Sequence, residues 1–178
     1  MNEMNVDLEA LPIGEDAPGV VNVVVEVPVG SRNKYEYEPE LGVIMRDRVL
    51  PGNIRYPADY GFIPSTEGAD GEPLDVMVAA HDPVFPGCVV KARVIGALEM
   101  YEGGQVEYNV FGLPSDDPRF DDIETLDNMP EQNLREIEQF FEVYKRLEGD
   151  EEVEILGCVD LDETHELIRG CAQAYARA

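Results

Sequence analysis

Lysine is almost missing from this chain: of its 13 basic residues only Lys34, Lys91 and Lys145 are lysine, and the rest are arginine. So few cations against 38 acidic residues, a net charge of −25, leave no basic patch for non-specific nucleic-acid binding. Histidine is scarcer still. His81 and His165 are far apart, which leaves no Ser-His or Cys-His arrangement for nucleophilic catalysis; His165 falls mid-helix and is expected at the surface. Cys88, Cys158 and Cys171 are odd in number and widely spaced, so they fit neither a disulfide framework nor a zinc site. They are expected to be reduced, buried thiols of a cytoplasmic protein. No apolar run reaches the length of about 18 residues that a membrane span needs. The acidic stretch Met1–Gly19 lacks the basic and apolar regions of a signal peptide.

What is present is acid. A surface rich in carboxylate and poor in lysine suits molar salt, where the Debye length shrinks to about 3 Å and self-repulsion is screened. A halophilic cytosol is the expectation. The hydrophobic fraction of 44% is ordinary for a globular protein. A chain of 178 residues suits a single domain over 1–178, with 1–19 as an acidic N-terminal extension.

The first half reads as strands broken by turns. Val20–Val29 is a largely apolar run, Tyr35–Glu38 and part of Leu41–Leu50 alternate with period two, and Leu74–Ala80 is a further strand. Cys88–Met100 and Gln105–Leu113 flank Gly103-Gly104, a hairpin signal that brings Glu102 and Glu107 together at its tip. Five or six strands with Gly/Pro turns suggest a small barrel. Pro114–Pro130 reads as an acidic loop. Glu131–Leu147 has apolar residues at 134, 137, 141, 144 and 147, one face of a helix that Pro130 opens and Gly149 ends. Val153–Cys158 is a short strand. Asp160–Arg177 is a second helix, with Asp160 and Glu163 as its capping box and Leu161, Ile168 and Tyr175 as its buried stripe.

Asp70-Gly71-Glu72-Pro73-Leu74-Asp75 places three carboxylates on a tight turn before a strand. Such a set suits a hard cation such as Mg²⁺, which takes a few carboxylates and keeps waters for a phosphate. In so acidic a chain the spacing also arises by chance, so its weight depends on its company. That company is Arg32–Tyr37, Arg46–Val49, Arg55–Pro64 and Glu142–Lys145, each joining a cation to a tyrosine or an acid. Two of the three lysines fall there.

With these segments and Asp117–Ile123, the chain resembles the soluble family I inorganic pyrophosphatases, archaeal members in particular and the haloarchaeal type among them. The resemblance runs from about Val20 to Ala172 and is carried most specifically by RNKYEY, YPADYGFIP and DPRFDDI. It implies an α+β, mostly β fold: an OB-like five-stranded β-barrel with two C-terminal helices packed outside. It also implies Mg²⁺-dependent hydrolysis of diphosphate, commonly in a cytoplasmic homohexamer. By resemblance, Asp70, Asp75, Glu102 and Glu107 bind metal, and Glu72 sits where the family has an acid that helps deprotonate the attacking water. Lys34, Arg48, Tyr60, Tyr144 and Lys145 fall on phosphate-contacting positions; Glu26, Glu36 and Tyr56 are other cavity residues.

Three family aspartates stand here as Glu72, Glu102 and Glu107, a cavity lysine as Asn109, and a tryptophan as Cys158. Each added methylene lengthens the reach by roughly 1.5 Å, and a misplacement of about 1 Å can cost around a hundredfold. Mn²⁺, which tolerates a longer ligand, is therefore a second candidate ion, and Arg55 a candidate replacement for the lysine. Besides the enzyme, two readings remain: a catalytically impaired homologue that binds metal and diphosphate, and an acidic OB-like binding module.

Overall fold

The computed structural model describes residues 6–148 and 153–178, and Gly149, expected to end the first helix, lies outside them. Among the described residues eight strands and two α-helices follow in order: β1 Val20–Val27, β2 Asn33–Glu38, β3 Val43–Val49, β4 Asp59–Ile63, β5 Leu74–Val78, β6 Val89–Glu102, β7 Gln105–Pro114, α1 Glu131–Glu148, β8 Glu154–Val159 and α2 Leu161–Tyr175. Five strands close into the ring β1-β4-β5-β7-β6, with β6 returning to β1; β8 extends the sheet beyond β6, and β2–β3 is a separate hairpin. All pairs in the ring are antiparallel except β5–β7. The expected five-stranded barrel is present.

Alternation along the strands sorts side chains onto two faces. Val21, Val23 and Val25 of β1, Leu74, Val76 and Val78 of β5, and Val94, Ala97 and Val110 of the β6–β7 pair form one buried cluster, joined by Ile168 and Cys171 of α2. A bulge between Val94 and Gly96 keeps Val94 and Ala97 on that side despite their odd spacing. The opposite, outer face carries Leu98, Met100 and Phe111, which α1 covers with Ile137, Phe140, Phe141 and Tyr144. Glu26, Tyr60, Asp75, Glu102, Glu107 and Asn109 share the parity of this outer face. One alternation thus builds the core and aims the polar residues away from it.

Strand β4 is not among the strands read from the sequence. Gly61, with Pro57 and Pro64 on either side, looks like chain punctuation, but the glycine is a packing requirement. A Cβ added there meets the Val24 carbonyl oxygen at 1.9 Å across the β1–β4 ladder. Gly61→Ala is therefore expected to cost about 3 kcal/mol or more, read as a lowered denaturant midpoint; an unchanged midpoint contradicts this packing.

The turn Gly103-Gly104 has φ of 60° and 89°, as a two-residue hairpin turn requires. In α1 the expected apolar face is buried at Ile137, Phe141 and Tyr144, joined by Phe140, whereas Leu147 is 54% exposed. The Asp160 side chain caps α2 by accepting from the Glu163 amide at 2.9 Å. The stripe of α2 is rotated from the expected one: Thr164, Ile168 and Cys171 are buried, and Leu161 and Tyr175 are half-buried near its ends. The thiols are all free but only Cys171 is buried; Cys88 is half-buried and Cys158 is exposed, because β8 alternates between exposed and half-buried positions. His165 is not a plain surface residue, since its Nε2 is buried without a partner. Among the described residues no helix is long and apolar enough to cross a membrane.

Candidate active site

The polar residues of the outer wall meet in two adjoining cavities. One, of about 330 Å³, is lined by Lys34, Tyr56, Tyr60, Asp70, Asp75, Glu102, Glu107, Asn109 and Tyr144 together with Phe140 and Phe141. The other, of about 360 Å³, is lined by Glu9, Glu26, Lys34, Glu36, Tyr60, Asp70, Glu72 and Asp75. Lys34, Tyr60, Asp70 and Asp75 line both. Of the sequence-derived candidates, the acids, the tyrosines and Lys34 line one chamber or the other, with Glu72 in the second chamber, apart from Glu102 and Glu107; Arg48 lines neither.

Asp75 lies at the centre. Its Oδ2 accepts a hydrogen bond of 2.6 Å from the Tyr60 hydroxyl on the neighbouring strand. Burial pushes the carboxyl up to about 7; the Tyr60 bond opposes this, Asp70 and Glu107 add to it, and Lys34 offsets part of it. Burial likewise raises Glu26 to about 8, against the bond its Oε1 accepts from the Tyr37 amide at 2.7 Å. That bond ties β1 to the β2–β3 hairpin, which carries the cations. The Tyr60 and Tyr56 hydroxyls are pushed up by burial and stay protonated donors.

The acidic turn holds itself by an Asx-type contact, Asp70 Oδ1 accepting from the Glu72 amide at 3.0 Å. Gly71, at φ 85°, supplies the left-handed residue of that turn. Across the cavity, Lys34 pairs with Glu36 and stands 3.8 Å from Asp47. Arg48 pairs with Asp47 at 2.7 Å and directs a second nitrogen to the Tyr144 hydroxyl at 3.5 Å. Tyr56 packs between Tyr60 and Phe140, with ring centroids at 5.5 and 4.8 Å, and Phe140 stacks on Tyr144. This aromatic wall joins β4 to α1 and keeps one side of the cavity apolar. Lys145 lies on α1, its side chain outside the described residues.

Arg55 does not take the place of the missing lysine: it donates to the Gly30 carbonyl at 3.0 Å on the exterior. Sequence reasoning passed over Glu9, which residues 6–19 carry to the rim of the second chamber. Leu8 and Leu11 pack on the cluster of Val24, Tyr37 and Phe62, and the Ser65 amide donates to the Glu9 carbonyl at 2.7 Å. Its only signal was the pair of leucines inside an acidic stretch. Asp47, which orients both Lys34 and Arg48, was legible only as part of Arg46–Val49.

The donor set is all oxygen, as hard cations require, and Asp70 and Glu107 add to the burial that raises Asp75, so a cation beside it would favour its charged form. Among the described residues no three acidic, histidine or cysteine side chains stand close enough to form a finished cage. The residues fit a divalent ion as a lined cavity rather than a closed cage.

A pH dependence follows. The folded-state values of about 7 and 8 lie above the ordinary carboxylate range, so this contribution to stability is full below about pH 4 and is lost as pH rises through 7 to 8. In metal-free protein the stability advantage of Asp75→Asn over wild type is expected to grow from pH 5 to pH 8.5, on the order of 4 kcal/mol at the upper end. Denaturant midpoints across that range test it; a constant difference contradicts the placement of Asp75.

Against known proteins, the profile of the family described as inorganic pyrophosphatase matches residues 23–176. The chain is 44% identical to an inorganic pyrophosphatase of Halobacterium salinarum over 167 residues, covering 94% of each protein. It is 46% identical to that of Thermus thermophilus over 171 residues, 95% of this chain and 98% of the relative. The crystal structure of the Thermus thermophilus inorganic pyrophosphatase superposes with a TM-score of 0.93 at 45% identity, covering 96% and 99% of the two chains. Bacterial and haloarchaeal relatives are thus equally similar, and likeness alone does not single out a haloarchaeal type.

Proposed function

The chain belongs to the inorganic pyrophosphatase family and is a metal-dependent hydrolase that splits diphosphate into two phosphates; from that premise we propose that the paired outer-wall cavities are its catalytic centre and Mg²⁺ its ion. The observation that carries this reading is the sharing of Lys34, Tyr60, Asp70 and Asp75 by both chambers. Carboxylates for a cation and a cation for a phosphate then face one another across a single space.

A bound divalent ion supplies charge for the phosphoryl oxygens and a water acidic enough to attack near neutral pH. Asp70, Asp75, Glu102 and Glu107 would hold such ions. Asp75, donor-tethered by Tyr60, keeps its second oxygen for this task. Lys34 and Arg48 would hold the electrophilic and leaving phosphates and neutralise charge as the bridging bond breaks, a role that the family resemblance extends to Lys145. Tyr60 and Tyr144 add oriented hydroxyls without further charge, Tyr56 braces Tyr60, and Glu26 and Glu36 set the position of the hairpin that carries Lys34. Glu72, in the second chamber with Asp70, takes the proton of the attacking water. The longer reach of Glu72, Glu102 and Glu107 supports Mn²⁺ as an alternative ion.

The acid-rich, lysine-poor surface supports a halophilic cytoplasm and a haloarchaeal type, and family membership supports a homohexamer. Phosphate release from diphosphate in molar KCl is the test. Turnover that requires added Mg²⁺ or Mn²⁺, ceases with a chelator and fades on dilution into low salt is the expected result. Full activity in dilute buffer contradicts the halophilic part, and a monomer by light scattering contradicts the hexamer.

A further inference from the structure

Asn109 is the polar residue of the cavity that the described residues leave unsatisfied. It stands on β7 in register with Asp75 of β5, is 2% exposed, lines the chamber that holds Asp70, Asp75, Glu102 and Glu107, and its Oδ1 has no hydrogen-bond donor. Its register partner on β6 is Leu98, and Phe111 follows it on the same face. An apolar side chain would suit those neighbours. A buried amide oxygen without a donor is destabilising, a cost expected of a group with a use.

We propose that Asn109 Oδ1 is a neutral oxygen ligand for a divalent cation held with Asp75 and Glu107. Amide oxygens serve hard cations alongside carboxylates. Four acidic residues line the same chamber while Lys34 is its one described cation, so the unmet need on the amide is for positive charge. Where the family resemblance expects a lysine, this chain has replaced a phosphate-holding cation with a group that favours the metal. The cavity thereby gives up direct electrostatic hold on diphosphate and leans on bound cation for it. This inference rests on the cavity being the metal centre.

The test is calorimetric titration of the full-length protein with Mg²⁺, and separately Mn²⁺, in molar KCl without diphosphate. Asn109→Leu is expected to weaken the affected ion at least tenfold, the scale of losing a group that supports a metal site. It should also leave the metal-free thermal midpoint unchanged or higher, because it removes an unpartnered polar atom. Asn109→Asp keeps the oxygen and adds charge, so it is expected to bind more tightly than wild type. Equal dissociation constants for Asn109→Leu and wild type overturn the inference while leaving the metal centre standing. If wild type takes up neither ion, the metal-centre reading itself falls and this inference with it. Should the leucine variant fail to fold, the aspartate variant decides: binding no tighter than wild type overturns the proposal.

Discussion

Asp75→Asn is expected to lower kcat for diphosphate roughly a thousandfold or more, the scale of removing a group that acts on charge developing in the transition state. The substitution keeps the shape of the side chain and its place beside Tyr60. It removes the negative charge that burial already opposes, so the metal-free fold should be no less stable than wild type. Those two results together are informative. A merely structural Asp75 would lose activity and stability in parallel, and a merely solvated one would lose neither. Phosphate release measured beside a denaturant midpoint separates the three cases, and a variant retaining more than a tenth of wild-type kcat is incompatible with Asp75 as the central ligand.

Lys34→Met should lower kcat/KM for diphosphate by about 100- to 1,000-fold. Among the described residues that line the two chambers, Lys34 is the one cation. It faces Glu36 and Asp47 on the hairpin and offsets the charge around Asp75 and Glu26. A methionine keeps most of the stem and loses the charge. Lys34→Arg should recover part of the loss, which a packing role alone would not explain. Since the substrate is a highly charged anion entering a chain of net charge −25, the fall should persist in molar salt, where long-range repulsion is already screened. A change within twofold contradicts a direct phosphate contact.

How legible these features are depends on how local their causes are. The β6–β7 hairpin could be read directly because two consecutive glycines leave few other conformations, and with it came the placement of Glu102 and Glu107 on one tip. The α1 face followed from its period. Strand β4 was hidden because the reason for Gly61 is the carbonyl of Val24, some forty residues away in sequence. The burial of Cys171 in place of Tyr175 depends on which side of α2 meets the barrel, a tertiary fact that a helical repeat leaves open by a fraction of a turn.

The site divides the same way. The acidic turn and the cationic hairpin were visible as segments, and family resemblance supplied their convergence; the alternation that puts Glu26, Tyr60, Asp75 and Asn109 on one outer face supplies its physical basis. Glu9 was not legible, because residues 6–19 look like a solvated extension until Leu8 and Leu11 are seen against Phe62. Asn109 was legible as a departure but not as an opportunity. Only burial and a missing donor show that its oxygen wants a partner.

Anomalous diffraction from crystals soaked with Mn²⁺ tests the catalytic cavity most directly. Manganese peaks are expected among Asp70, Asp75, Glu102 and Glu107, with Asn109 Oδ1 turned toward one of them, and added diphosphate or phosphate should lie between those ions and Lys34. Ions confined to the outer acidic surface, with the cavity between β5, β7 and the β2–β3 hairpin empty of metal, would contradict it.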